Sequence, residues 1–473
     1  MNIELTDIHY GRRYSILSSI MLGSVMGPID ASIVNVILPT ITECFGVDLS
    51  TAQWVPMIYL LTISSLLLFY GRLGDIVGYK RVYLTGLAGF IITSGLCGLA
   101  STIHWLILFR AVQGLSAGML MAVPFAIITA SFPPSERGKA LGIYAISISA
   151  GLAIGPSLGG FVTSLFGWRF IFLINIPIGI AGLLWAHHLI PELKGQPGKM
   201  DLWGALTAFI SLSSFVFFVN RFQTLGLGYG TGCVLSVATM AGLVFLWIES
   251  KTAQPMINLN LFKNVTFSLA NVSALLNFVS QYVMVFLTPF YLQRVLHYAP
   301  NNVGLIMTSF PLAVMAVAPW SGSLSDRTGT KAPACLGAAI CALSLFLMSQ
   351  LATSTSSMDV VWRLSLFGLG TGMFQSPNNS AVMGSAPRSY LGIASGILAT
   401  VRNVGMVLGI AMGGAILYAF APSSILQKPT LEPSEATAFL SSLRYAYLAG
   451  GISACVAAMT SLLRSRKGET EAG

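Results

Sequence analysis

The chain has 473 residues, of which 55% are hydrophobic and only 9% charged. A water-soluble domain of that length needs far more charge to cover its surface, so that class is excluded. The formal net charge of +9 would suit nucleic acid, but the basic residues lie in short segments between apolar blocks and form no stripe, so no nucleic-acid partner is expected.

From the amino end, apolar blocks fall at 14–38, 52–70, 82–101, 104–130, 137–164 and 169–190. Each is near the ~20 residues a helix needs to cross ~30 Å of hydrocarbon. The first block lacks a small-residue cleavage site and is expected to be a retained helix. Two further blocks, 202–222 and 231–250, carry few polar residues. Six more follow at 266–293, 302–323, 332–352, 358–381, 391–421 and 440–463. The expected fold class is therefore an all-α integral membrane protein of about fourteen transmembrane helices. With the N-terminus in the cytoplasm, seventeen Lys and Arg fall on the cytoplasmic side and six outside, leaving Arg110 and Arg402 within spans. That bias predicts cytoplasmic termini in a multi-pass cell-membrane protein.

The chain repeats itself. Gly71-Arg72-Leu73-Gly74-Asp75-Ile76-Val77-Gly78-Tyr79-Lys80 matches the segment 322–331 at Gly322, Leu324, Asp326, Gly329 and Lys331, all at one offset of 251. Gly114, Gly118, Gly138, Gly142, Gly151, Gly155, Gly159 and Gly160 recur 254 positions later, as Gly368 through Gly414. Two like halves in the same orientation predict a substrate site between them near mid-membrane. The expected organisation is a six-helix bundle over 1–190, two linker helices over 191–265 and a second six-helix bundle over 266–473.

Charge inside the apolar blocks points to function. Asp30 lies about eight residues from the outer end of span one. An ionised carboxylate there costs several kcal/mol, so it is a functional candidate by default. Arg110 lies about six residues from the outer end of span four, and at ~1.5 Å per residue the two reach similar depths. An exchangeable acid beside a permanently charged guanidinium suits proton coupling. Gln113 faces the same way one turn on. Gln113, Asn271, Asn277, Gln281, Tyr282, Gln375, Asn378 and Arg402 are candidate linings of a polar cavity between the halves. Between spans two and three, Gly71, Arg72, Gly74, Asp75, Gly78, Lys80 and Arg81, with Asp326 in the second copy, form a candidate gate. Asp75 is expected to pair with a helix N-terminus or an arginine. Gly151, Gly155, Gly159 and Gly160, with Pro156, permit close helix packing and a kink.

These motifs carry a resemblance. Gly71-x-Leu73-Gly74-Asp75-x-x-Gly78-x-Lys80-Arg81 resembles the loop signature of the major facilitator superfamily. Leu108-Phe109-Arg110-Ala111-Val112-Gln113-Gly114 is similar to its fourth-helix motif. Gly151-Leu152-Ala153-Ile154-Gly155-Pro156-Ser157-Leu158-Gly159-Gly160 resembles its fifth-helix antiporter motif. Asp30 through Pro39 resembles the first-helix motif of the fourteen-helix drug:proton antiporter branch.

The resemblance implies a proton-coupled antiporter exporting lipophilic, cationic drugs by alternating access. Membrane lipids, a small-molecule substrate and protons are its expected partners, and it is expected to act as a monomer. Export of one endogenous metabolite or lipid is the alternative; a non-transporting receptor or membrane enzyme is a remote one. Acids are missing deep in spans nine to fourteen, so coupling falls on Asp30 and dicationic substrates are disfavoured. The scattered histidines and cysteines form no metal motif and no phosphate-binding loop is present, so no metal, cofactor or enzymatic activity is expected.

Overall fold

The computed structural model of the protein describes residues 12–133, 136–192, 202–225, 228–252, 259–387, 390–426, 428 and 431–464. Expectations about the two chain ends and about 193–201 and 253–258 lie outside the described residues, as does the side chain of Asp326. Every long element is a helix, and no strand occurs among the described residues. The first set is α1 (Arg13–Phe45), α2 (Trp54–Val77), α3 (Tyr79–Gly98), α4 (Ile103–Ala122), α5 (Arg137–Phe166) and α6 (Asn175–Leu189). Then come α7 (Leu202–Leu225) and α8 (Tyr229–Lys251). The last set is α9 (Val265–Phe290), α10 (Pro300–Thr328), α11 (Lys331–Met348), α12 (Ser357–Gly384), α13 (Leu391–Phe420) and α14 (Pro433–Leu462).

Among the described residues eleven helical stretches are long and apolar enough to cross a membrane, or twelve if a pair bent by 52° over Leu49–Val77 is one span. The expected spans 202–222 and 358–381 fall outside that count. In α7 the apolar stretch is only Trp203–Val219, and α12 carries Asp359, Arg363, Gln375, Asn378 and Asn379 along its length. Helix ends also differ from expectation. The first helix runs past Pro39 to Phe45 and stops at Gly46, whose φ of 60° is left-handed. The fourth breaks at Val123, before Pro124 starts a separate eight-residue helix, Pro124–Ser131.

Packing repeats with the sequence. In the first set α1 packs on α5 and α6, α4 on α2 and α3, and α3 on α6; in the last set α9 packs on α13 and α14, α12 on α10 and α11, and α11 on α14. The repeated glycines sit at equivalent contacts. A methyl group at Gly114 would lie 2.8 Å from the Tyr59 carbonyl oxygen of α2, and at Gly368 it would meet Phe310 of α10. On α5, Gly151 lies against Val25 of α1; on α13, Gly405 lies against Leu275 of α9. In lipid, where apolar burial does not drive helices together, such close approach is the main source of contact energy.

The two sets meet through α5 on α10 and α2 on α13, and α7 packs against both α2 and α13. At the far end, the one opposite Arg13 and Leu462, this seam is shut. Gly160 abuts Pro300, and Gly414 abuts the Gln53 side chain. Ser157 and Thr308 hydroxyls lie 2.6 Å apart, Gln293 Nε2 donates to the Val36 carbonyl at 3.1 Å, and Thr40 donates to Gln293 at 3.2 Å.

The segment 71–81 is not a loop. Helix α2 runs through Gly71 to Val77 and α3 starts at Tyr79, so Gly78 alone makes the turn. Its φ is 103°, and its repeat partner Gly329 has φ 84° between α10 and α11. Both lie where a Cβ is strongly disfavoured. Gly78→Ala and Gly329→Ala are each expected to cost about 1–3 kcal/mol of stability, while Gly71→Ala, at a position with nothing within 4 Å of an added methyl, is near neutral. Thermal denaturation of the three purified variants checks the contrast.

Candidate functional site

Asp30 lies in the middle of α1, where Gly151, Gly155 and Gly159 of α5 press against Val25, Ser32 and Ile33 on either side of it. That packing holds the acid inside the first set of helices. Asp30 is 2% exposed and Arg110 is 0%. They form an ion pair between Asp30 Oδ2 and Arg110 Nη1. Asn175 Nδ2, at the start of α6, reaches Asp30 Oδ1 at 3.4 Å.

Arg110 uses its planar fork in several directions. Its Nε donates to the Val55 carbonyl of α2 at 3.3 Å, and its Nη1 also donates to Gln113 Oε1 at 2.7 Å. Gln113 Nε2 in turn donates to Ser94 of α3 at 2.8 Å. The guanidinium stacks on the Tyr59 ring, 3.9 Å from its centroid, a cation–π contact strengthened by the burial of both side chains. Helices α1, α2, α3, α4 and α6 thus converge on one buried charge pair.

The candidate cavity residues do not form one site. Gln113 belongs to the Asp30–Arg110 network. Asn277 lies inside the last set, with Nδ2 3.8 Å from Cys341 Sγ. Asn271 donates to the Phe267 carbonyl of its own helix at 2.9 Å. Asn378 accepts from Arg464 at the end of α14. Gln281 and Gln375 pair at 3.3 Å across α9 and α12. Tyr282 and Arg402 lie within electrostatic range of each other, and so do Arg402 and Tyr144 of α5, whose ring packs against Phe125.

In the candidate gate, Asp75 accepts from the Tyr79 hydroxyl at 2.5 Å and lies 3.5 Å from Arg72. The expected arginine is present, but it is a half-exposed i,i+3 neighbour on the same helix, a contact worth little. Gly74 is crowded, since a methyl there would lie 2.6 Å from the Tyr79 ring. Lys80 and Arg81 begin α3.

Tyr59, Ser94, Asn175 and the Val55 carbonyl escaped sequence reasoning. Ser94 and Asn175 had a signal, being polar residues inside apolar blocks; Tyr59 had none, because an aromatic in a membrane helix reads as packing.

The Major Facilitator Superfamily model matches residues 20–410 and again 269–472. The chain belongs to the major facilitator superfamily. It is 35% identical over 405 residues to the riboflavin transporter RibZ of Clostridioides difficile, covering 85% of this chain and 87% of that one. It is 33% identical over 414 residues to the multidrug resistance protein Stp of Mycobacterium tuberculosis, covering 87% and 76%. With the multidrug transporter protein MdtP of Bacillus subtilis it shares 26% over 441 residues, covering 92% and 81%. The fold matches a POT family transporter solved with 5-aminolevulinic acid at a TM-score of 0.71 and 14% identity, covering 96% of each chain. It also matches a bacterial homolog of the human lysosomal transporter Spinster at 0.67 and 18%, covering 96% and 97%. The superfamily and these relatives make the chain a multi-span membrane transporter.

Removing one partner of a buried ion pair strands the other charge, at a cost of about 3–5 kcal/mol. Asp30→Asn and Arg110→Gln are each expected to lower thermal stability by an amount of that order, and the double variant is expected to recover much of the loss. Melting curves of the four proteins in one detergent test this; a double variant no more stable than either single one refutes the pairing.

Proposed function

We propose that this transporter is a proton-coupled antiporter of the fourteen-helix drug:proton branch, exporting lipophilic small molecules from the cytoplasm by alternating access. The observation that carries this is the position of Asp30, a sealed acid on the stretch of α1 gripped by the α5 glycines. A proton on the Asp30 carboxylate removes half of the ion pair and leaves Arg110 to the Val55 carbonyl and Gln113. The contact of α1 with α5 then loosens, and the seam that α5 forms with α10 rearranges. The far end faces outward in this reading, both termini are cytoplasmic, and the state described is shut toward the outside.

The remaining assignments follow from that cycle. The bundles 1–190 and 266–473 rock against each other, with 191–265 as a hairpin beside the seam. Gly71 to Arg81 and Asp326 act at the cytoplasmic gate, and Gly151 to Gly160 is the sliding contact. The protein works as a monomer in the cell membrane and carries out no catalysis. The resemblance implies a cationic substrate; in this reading Arg110 neutralises Asp30, so the pair itself offers a cation no net attraction. Export of one specific metabolite is the second reading, favoured by the relative named as a riboflavin transporter; a compound panel that includes riboflavin separates the two.

Asp30→Asn fixes the acid in a neutral form. In proteoliposomes holding equal amounts of folded protein, proton-driven transport is expected to vanish while substrate exchange without a gradient persists. Normal gradient-driven pumping by this variant would rule out the coupling role. For topology, a cysteine at Ser101 is expected to react with an impermeant thiol reagent only from outside, and one at Thr328 only from the cytoplasm. Reaction of both from the same face contradicts the orientation.

A further inference from the structure

Arginine does not deprotonate at any accessible pH, so an arginine inside a membrane needs a counter-charge or a full set of acceptors. Among the described residues the other arginines deep in the fold each have at least one partner, Arg464 through the Asn378 side chain. Arg110 has Asp30. Arg294 donates to the Leu426 carbonyl at 3.0 Å, and Arg363 to the Leu347 carbonyl at 3.0 Å. Arg402 differs. It lies mid-helix in α13, half-buried, and among the described residues it makes no hydrogen bond or ion pair; its electrostatic neighbours are the phenols of Tyr282 and Tyr144. It precedes Gly405 by three residues and Gly409 by seven, on the face of α13 that packs against α9. Tyr144 belongs to the opposite bundle, so Arg402 stands at the seam. Beyond Tyr282, and within electrostatic range of it, the Tyr59 hydroxyl is buried without a hydrogen-bond partner among the described residues.

We infer that Arg402 is the counter-charge for the substrate, and that the seam binds molecules carrying an anionic group on a flat aromatic body. The guanidinium takes the anion through its fork. The rings of Tyr144 and Tyr282 flank the aromatic part, and the Tyr59 hydroxyl offers one further donor. This rests on the transporter reading only in taking the seam as the ligand site, and it requires no proton coupling.

The test is equilibrium binding by titration calorimetry on the purified full-length chain in detergent, without any gradient. The probes are naphthalene-2-carboxylate, the neutral 2-naphthamide and (naphthalen-2-ylmethyl)trimethylammonium. The wild-type protein is expected to bind the carboxylate about tenfold or more tighter than the amide, the ratio that about 1.4 kcal/mol produces. Arg402→Gln is expected to erase that ratio by weakening the carboxylate alone, and Arg402→Lys to keep part of it. Unchanged amide affinity and an unchanged melting profile show that the Gln variant is folded. A wild-type protein that prefers the ammonium, shows no charge preference or binds none of the three overturns the inference. So does a Gln variant that keeps the preference. Because Asp30 is not varied and no gradient is applied, failure here leaves proton coupling standing, and failure of proton coupling leaves this binding result standing.

Discussion

Helices in lipid gain nothing by hiding apolar faces from one another, so this structure depends on how closely their backbones can approach. Glycine at repeated positions supplies that approach, and helix α5 uses it in two directions. Gly151, Gly155 and Gly159 face α1, whereas Gly160, the next residue, faces Pro300 and Asn301 of α10 in the other bundle. One ridge therefore packs a helix within its bundle, and the adjacent position packs it across the seam. The repeat does the same with Gly405 and Gly409 against α9 and Gly414 against Gln53. A side chain at any of these positions would open a gap at the contact that carries the fold.

The halves share this scaffold but not its charges. Gly155 lies over Ile29 and Gly409 over Val279, a register that sets Ser280 where Asp30 stands in the first half. Arg110 maps onto Leu364 at the glycine offset. The second bundle therefore packs the same way with a serine and a leucine in place of the ion pair. Buried pairs contribute little net stability and are often replaceable by apolar residues, and the repeat demonstrates such a replacement within one chain. The repeat thus builds the same packing without the pair, which supports the coupling role proposed for it.

Much of this was legible in the sequence because it depends on residue type at fixed spacing. Glycines and the Asp75 motif repeat in register, so the duplication was readable. Asp30 and Arg110 stood out because charge is scarce in apolar blocks, and their depths placed them near one another. Three-dimensional facts were not readable. The turn at Gly78 looked like a loop, since helices on both sides of a single left-handed residue leave the same composition as a short loop. Polar candidates such as Asn271 and Asn378 are assigned to a shared cavity by residue type alone. Their direction depends on helix rotation, which sequence fixes only to within a face; the structure turns Asn271 back to the Phe267 carbonyl of its own helix and Asn378 toward Arg464, whereas Gln113 lies beside Arg110 as its one-turn spacing implies. Tyr59 carried no signal, because its role arises from the guanidinium that lies over its ring.

Antiport requires that proton and substrate exclude one another. For a substrate with an anionic group, charge alone works against this. Protonating Asp30 leaves Arg110 uncompensated, and the added positive potential favours an anion at Arg402. Exclusion in the proposed cycle must therefore be geometric. Helix α5 is placed to provide it. It grips the Asp30 segment of α1 through its glycines, carries Tyr144 toward Arg402, and closes the far end through Ser157 and Gly160. In the proposed cycle a shift at the α1 contact displaces Tyr144, on the same side of Pro156 as Gly151, and acts on the far-end seal through the part of the helix that continues past that proline. Proton site, ligand site and gate then read the position of one helix, and an electrostatic preference of the opposite sign is overridden wherever the state that admits the proton has moved Tyr144 away from the ligand.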